Sequence, residues 1–250
     1  PELVAGLDDW GLMNLRTEEI LDLADRAKKA GCFEEVRRRS VRGAGMAGAD
    51  LGKVLVPRSK HYSWSKAADI FGIGQDNLVS VPVTENYRMD LVALRGIIED
   101  LASSRTPILA LVAVVGTTEE GAVDEIHEIV RLREDCAARG ISFYLHIDAA
   151  YGGYARPLFL DDSNRFVDFE ETQTLHGLGK EGRTGWLTRD VYEAFKAMPR
   201  ADSITVDPHK LGYVPYAAGA IVAADRRIID LISYFAAYVF EKSDDNPMLL

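Results

Sequence analysis

Cysteine is nearly absent: the 250 residues hold two, Cys32 and Cys136, far apart and without metal-ligand spacing. A disulfide-stapled scaffold and a cysteine-based metal module are excluded, no metal is expected, and a reducing compartment such as the cytoplasm is the default. Basic clusters are also missing. The net charge is −10, and the single run of like cations is Arg37-Arg38-Arg39. Nucleic acid and anionic membrane are therefore poor partners. No apolar run reaches membrane-spanning length, and no secretory leader pattern is present. A phosphate loop is lacking too. Gly116-Thr117-Thr118-Glu119-Glu120-Gly121 has neither the glycine spacing nor the Lys-Ser/Thr ending of a nucleotide site, nor a dinucleotide fingerprint. The chain starts at Pro1 rather than Met and stops at Met248-Leu249-Leu250 just after an aromatic-rich run, which reads as an internal piece of a longer protein.

Hydrophobic residues, in contrast, make up 47% of the chain, enough for a large buried core. They fall in a strand–helix alternation. Val54–Pro57, Leu78–Val83, Pro107–Val115, Ile141–Asp148, Ile204–Val206 and Ala217–Ala223 read as strands. Helical stripes are expected from a Thr17 cap to Gly31, over Ser63–Phe71, from Asp90 to Leu101, and over Glu125–Ala138, Tyr192–Met198 and Arg226–Phe240. Residues 37–48 read as a loop. Pro107–Val115 has no polar alternation, which predicts cover on both faces, as in a parallel sheet under helices. The order predicts an α/β domain with right-handed crossovers. Residues 160–190, rich in Gly and Asp with little periodicity, read as a surface insertion.

Polar groups follow several of these strands: His61, Thr117 and Thr118, Asp148 and Lys210. Ligands in open α/β sheets bind beyond the carboxyl ends of the strands, so the four sets are expected to converge. Each also has a plainer reading: Lys210 as a solvated surface amine, Asp148 as a turn cap, His61 as a packed histidine, Thr118 as a partner for turn amides. Together they offer an amine able to form a Schiff base with an aldehyde, a carboxylate able to pair a cationic ring nitrogen, and an imidazole able to stack on a flat ring. His146 alternates with Asp148 on the strand and shares its face.

Two longer motifs carry a resemblance. His146-Ile147-Asp148-Ala149-Ala150-Tyr151-Gly152-Gly153 and, further on, Asp207-Pro208-His209-Lys210 are similar to those of the group II pyridoxal-phosphate-dependent amino-acid decarboxylases. Lys60–Ile70, Asn86–Asp90, Val115–Ala122 and Tyr234–Lys242 most resemble the bacterial tyrosine decarboxylase branch. The resemblance implies a fold type I (aspartate-aminotransferase-like) large domain over residues 1–250, lacking the phosphate-binding turn upstream and the C-terminal small domain. It implies pyridoxal 5'-phosphate as cofactor, a homodimer, and decarboxylation of an aromatic L-amino acid, L-tyrosine to tyramine first. A glutamate decarboxylase, a sphingosine-phosphate-lyase-like enzyme of the same fold and a non-catalytic homologue are the alternatives.

By the same resemblance Lys210 is the covalent anchor, Asp148 the partner of the pyridine nitrogen, His61 the stacked imidazole and Ala150 the small residue on the opposite ring face. Thr118 is the hydroxyl near the phenolic oxygen, and His209 a phosphate contact. Tyr216, or else Tyr213, is the tyrosine that returns a proton to the substrate carbon. Tyr238 falls in a mobile-loop stretch. Asp207 departs from the Asn or Ser of many relatives; facing a phosphate it would repel it, so it is expected to cap backbone N–H groups instead.

Overall fold

The computed structural model describes residues 4, 6–39, 51–175 and 187–233. Three helices come first: α1 (Asp9–Met13), α2 (Thr17–Lys29) and α3 (Phe33–Arg39). Thr17 is the first helical residue of α2, not its cap. Arg16 holds the cap position, and its N–H donates to the Glu19 carboxylate at 2.8 Å. The three arginines expected in a loop close α3 instead, where Glu34 and Glu35 sit one turn earlier to pair with them.

A single six-stranded sheet follows, built from β1 (Lys53–Pro57), β2 (Leu78–Val81), β3 (Ile108–Val114), β4 (Tyr144–Asp148), β5 (Ser203–Val206) and β6 (Ala220–Ala223). The spatial order is β2-β1-β3-β4-β5-β6. All pairs are parallel except β5–β6. The chain steps outward from β1 to β2, then returns past β1 to β3. That reversal puts a crevice beyond the carboxyl ends of β1 and β3.

Alternation along the strands sorts side chains between two cores. Leu55, Leu111, Ala113, Leu145 and Ile147 meet α5 (Leu91–Ser103), α6 (Ile126–Ala138) and α8 (Arg189–Ala197) on one face. Val54, Val56 and Val112 face the other way, toward Trp64 of α4 (Ser63–Ile70). The second layer is the thinner one. Leu109, near the start of β3, is 39% exposed, so the cover expected on both faces reaches only the later part of that strand.

Several boundaries moved. β4 begins at Tyr144 rather than Ile141, because Ile141 and Phe143 bury as chain entering the strand. β6 begins at Ala220 rather than Ala217. Helix α8 starts three residues before Tyr192, where the Thr188 hydroxyl caps it. The segment after 160 is not simply a surface excursion. Phe166 bridges to Leu160 and stacks on Phe159 at 5.5 Å, and α7 (Phe169–Thr172) sets Phe169 against Tyr192. Aromatic residues on short, irregular turns show no sequence period, so their burial was hidden. The last described helix, α9 (Arg226–Ile232), buries none of its residues despite its apolar stripe. The rest of the expected helix to Phe240, and Tyr238 within it, lies outside the described residues.

Candidate functional site

A cleft of about 340 Å³ opens at the carboxyl ends of β1, β3, β4 and β5. His61, Thr118, Asp148, Ala150 and Lys210 all line it, together with Trp64, Thr205 and Asp207. Residues spread over 150 positions of sequence meet there because they lie at the carboxyl ends of parallel strands or in the segments that leave them.

Two turns form the floor. The chain leaves β3 at Val115 and returns through an antiparallel bridge to Val123, so Gly116–Gly121 is a closed excursion. Inside it Thr117 is buried, accepting from Ala122 N–H and donating to Glu120. Thr117 therefore satisfies the turn, and Thr118 keeps its hydroxyl exposed at the cleft. Asp124, buried at the end of the excursion, accepts N–H bonds from Met89 and Val114, each at 2.7 Å. Burial pushes its carboxyl up to about 6, against the pull of those two bonds. The second turn follows β4. Gly152 N–H donates to Val115 C=O at 3.0 Å, so the two turns touch backbone to backbone. A Cβ on Gly152 would sit 2.4 Å from that oxygen.

Asp148 ends β4. Its Oδ2 accepts from Trp64 Nε1 at 2.9 Å, and its Oδ1 from Ala150 N–H at 3.3 Å. His146 lies on the same face, as the alternation predicts; its ring is 5.6 Å from the Trp64 ring. Ser203 Oγ meets His146 Nδ1 at 2.8 Å and Thr205 Oγ1 meets Nε2 at 3.0 Å. Burial lowers the imidazole's pKa more than nearby Asp148 raises it. His146 is thus a neutral, fully bonded buttress under Trp64 and Asp148. Trp64 was not among the residues singled out by sequence. Its partner is 84 positions away, and only its position one residue past Ser63 in the His61 segment hinted at the site.

His61 follows β1, tilted against the Tyr62 ring at 4.4 Å. Ser63 N–H points at His61 Nδ1 (3.4 Å) and Ser63 Oγ lies 2.8 Å from it. A backbone N–H only donates, so Nδ1 accepts and the neutral ring carries its proton on Nε2.

Lys210 sits on a turn after β5, where its N–H donates to Asp207 C=O at 3.0 Å. Its Nζ is 3.0 Å from Asp207 Oδ2. Asp207 therefore does not cap backbone N–H groups: among the described residues its carboxylate pairs with Lys210, and with His209 Nε2 at a longer 3.8 Å. The turn's own N–H at Lys210 goes to the Asp207 C=O instead. His209 and Tyr216 are not among the cleft-lining residues. His209 Nδ1 donates to Ala218 C=O at 2.6 Å, and Tyr216, 84% exposed, lies tilted against the His209 ring at 4.3 Å. Tyr213 is likewise on the surface.

The chemistry of this set matches an aldehyde-bearing pyridinium ring. An amine, a carboxylate, an imidazole, a hydroxyl and the small Ala150 share one cleft. Among the described residues no cluster of His, Cys, Asp and Glu could hold a metal ion.

Residues 26–164 match the pyridoxal-dependent decarboxylase conserved domain. Over its whole length the chain is 54% identical to an L-tyrosine decarboxylase of Levilactobacillus brevis and 51% identical to one of Enterococcus faecalis, and it spans 40% of each. Among solved structures it is similar to the glutamate decarboxylase domain of a Vibrio parahaemolyticus diaminobutyrate-pyruvate transaminase and L-2,4-diaminobutyrate decarboxylase. That match has a TM-score of 0.55 at 22% identity, over 89% of this chain and 40% of the other. Catharanthus roseus tryptophan decarboxylase in complex with L-tryptophan gives 0.53 at 17% identity, over 86% and 37%. At these identities the two structures show a shared fold.

Proposed function

Because the chain belongs to the pyridoxal-dependent decarboxylase family, we propose that the whole protein converts L-tyrosine to tyramine and carbon dioxide with pyridoxal phosphate as cofactor. The observation that carries this reading is the convergence of Lys210, Asp148, His61, Thr118 and Ala150 on one cleft. When bound, pyridoxal phosphate supplies an aldehyde for an amine and an electron sink for the pair left when a carboxylate departs. Lys210 Nζ would hold it covalently. Asp148 would hold the ring nitrogen, its carboxylate kept in place by Trp64 Nε1. His61 would lie against one ring face and Ala150 would leave room on the other. Thr118 offers the exposed hydroxyl of the β3 turn.

The proton returned to the substrate carbon needs a donor in the cleft. His61 lines it and meets the Ser63 hydroxyl at Nδ1, whereas Tyr216 lies outside the lining, tilted against His209. A donor linked through His61 therefore fits this role better than Tyr216 in the described arrangement: the ring can deliver its Nε2 proton as Nδ1 takes another from the Ser63 hydroxyl, 2.8 Å away. Lys210 is the single Lys or Arg lining the cleft among the described residues, which favours an uncharged aromatic side chain over glutamate or a phosphorylated substrate.

Residues 1–250 then form one cofactor-binding domain. A homodimer would cover Tyr213, Val214 and Tyr216, which are exposed beside the Lys210 turn. No helix of the described residues is long and apolar enough to cross a membrane, and Cys32 and Cys136 are free thiols, which suits the cytoplasm.

The test is product identification by mass spectrometry from the full-length protein offered tyrosine, phenylalanine, tryptophan and glutamate separately. Tyramine is the expected amine. Amine from glutamate alone would replace the substrate assignment. In Lys210→Ala, the cofactor absorbance of a covalent protein linkage should vanish together with turnover; a retained borohydride-reducible linkage would move the anchor to another lysine.

A further inference from the structure

The cleft holds two carboxylates, and they do different work. Both Asp148 oxygens accept bonds from uncharged donors, Trp64 Nε1 and Ala150 N–H. Asp207 has the amine: its Oδ2 lies 3.0 Å from Lys210 Nζ, and the two side chains are only 17% and 23% exposed. The pair is fixed from both ends. Asp207 N–H donates to Ala150 C=O at 3.1 Å, tying it to the turn after β4, and Lys210 N–H closes back on Asp207 C=O. His209, the other cation-forming group facing this carboxylate, is set further away. Its Nδ1 donates to Ala218 C=O at 2.6 Å, and its Nε2 lies 3.8 Å from Asp207 Oδ2.

We propose that Asp207 is the proton acceptor and resting partner of Lys210. It holds Nζ inside the cleft whenever that amine is not bonded to cofactor. It also takes one proton from the ammonium: an N–H bond breaks, an O–H bond forms on Oδ2, and the freed pair stays on nitrogen. An amine attacks an aldehyde only through that pair. The inference rests on the reading of Lys210 as the covalent anchor.

Cofactor capture tests it, without reference to turnover. Full-length enzyme stripped of cofactor is mixed with pyridoxal phosphate at neutral pH. The rise of the linkage absorbance is followed by stopped flow, with borohydride reduction and peptide mass locating the bond. Asp207→Asn keeps the shape and removes the base, and capture should slow by at least about tenfold, given the on the order of 100-fold that a positioned base supplies. In Asp207→Ala, added formate should restore the rate in a saturable way, a result that loss of packing alone would not produce. Circular dichroism reports folding, and if Asp207→Asn does not fold the formate arm decides. Capture at the wild-type rate in a folded Asp207→Asn, or no response to formate in Asp207→Ala, overturns the proposal. A reduced bond found on a lysine other than Lys210 in the wild type would instead overturn the anchor assignment, so the two failures are distinguishable.

Discussion

Asp148 illustrates how a single side chain is prepared for a task. A carboxylate at a strand end is free to rotate, and here two donors remove that freedom, the Trp64 indole and the Ala150 amide. A hydrogen bond to a charged group contributes about 1.5–3 kcal/mol. Trp64→Phe, which deletes the N–H and keeps a ring, should therefore weaken cofactor binding by roughly tenfold or more. Equilibrium titration of cofactor absorbance in the full-length protein measures this, and an unchanged affinity would mean that the Ala150 amide alone holds Asp148. At this scale the sequence was readable where a polar side chain closely follows an apolar strand, as with Lys210 and Asp148, which both line the cleft. It misled where nearness along the chain stood in for nearness in space. His209 and Tyr216 neighbour Lys210 in sequence yet lie off the cleft lining, while Trp64 reaches Asp148 across 84 positions.

At the scale of elements, the cleft depends on how two turns sit against each other. Gly116 and Gly152 make the backbone contact between the β3 and β4 turns; a Cβ on Gly116 would lie 2.8 Å from Gly152 N. A methyl at Gly152 meets a carbonyl oxygen that cannot rotate away, so the turns must separate. Gly152→Ala should destabilise the full-length protein by about 1–3 kcal/mol. It should also weaken cofactor binding, because the β4 turn carries Asp148 and Ala150. Denaturant midpoints and cofactor titration measured on one preparation check both effects. A stability loss with no change in affinity would show that the contact supports the fold and not the site. The strands themselves were legible, since continuous apolar runs such as Ile108–Val114 have few alternatives in a chain of this composition. The edges were not, because Ile141 and Phe143 bury without joining a ladder.

For the molecule as a whole, stability and pH are linked through Asp124. Its folded carboxyl lies at about 6, above the ordinary 3.8, with burial the largest cause. The folded state thus holds its proton more tightly than the unfolded chain. The stabilisation this gives is fully present below about 3.8 and is lost as pH rises through about 6. In Asp124→Asn that titration is gone. One of the two backbone N–H groups also faces an amide NH2, for a loss on the order of 1–3 kcal/mol. The wild type's advantage over Asp124→Asn in unfolding free energy should shrink by up to about 3 kcal/mol between pH 4 and pH 7. Urea unfolding of both proteins at several pH values measures it, and a constant difference would place the Asp124 carboxyl at its ordinary value in the fold.

The order of residues announces the kind of molecule: strand–helix alternation, apolar runs for a parallel sheet, and a lysine, an aspartate and a histidine each placed after a strand. Those are local properties, written by side-chain polarity and period. Folding settles which of them meet. The strand order β2-β1-β3-β4-β5-β6 opens the crevice between β1 and β3, and the pleat turns Asp148 and His146 toward Trp64 while Leu145 and Ile147 enter the opposite core. It also decided Asp207. Sequence left that side chain to its nearest backbone, but folding set it 3.0 Å from Lys210 Nζ, where an opposite charge in a half-buried cleft is the stronger partner.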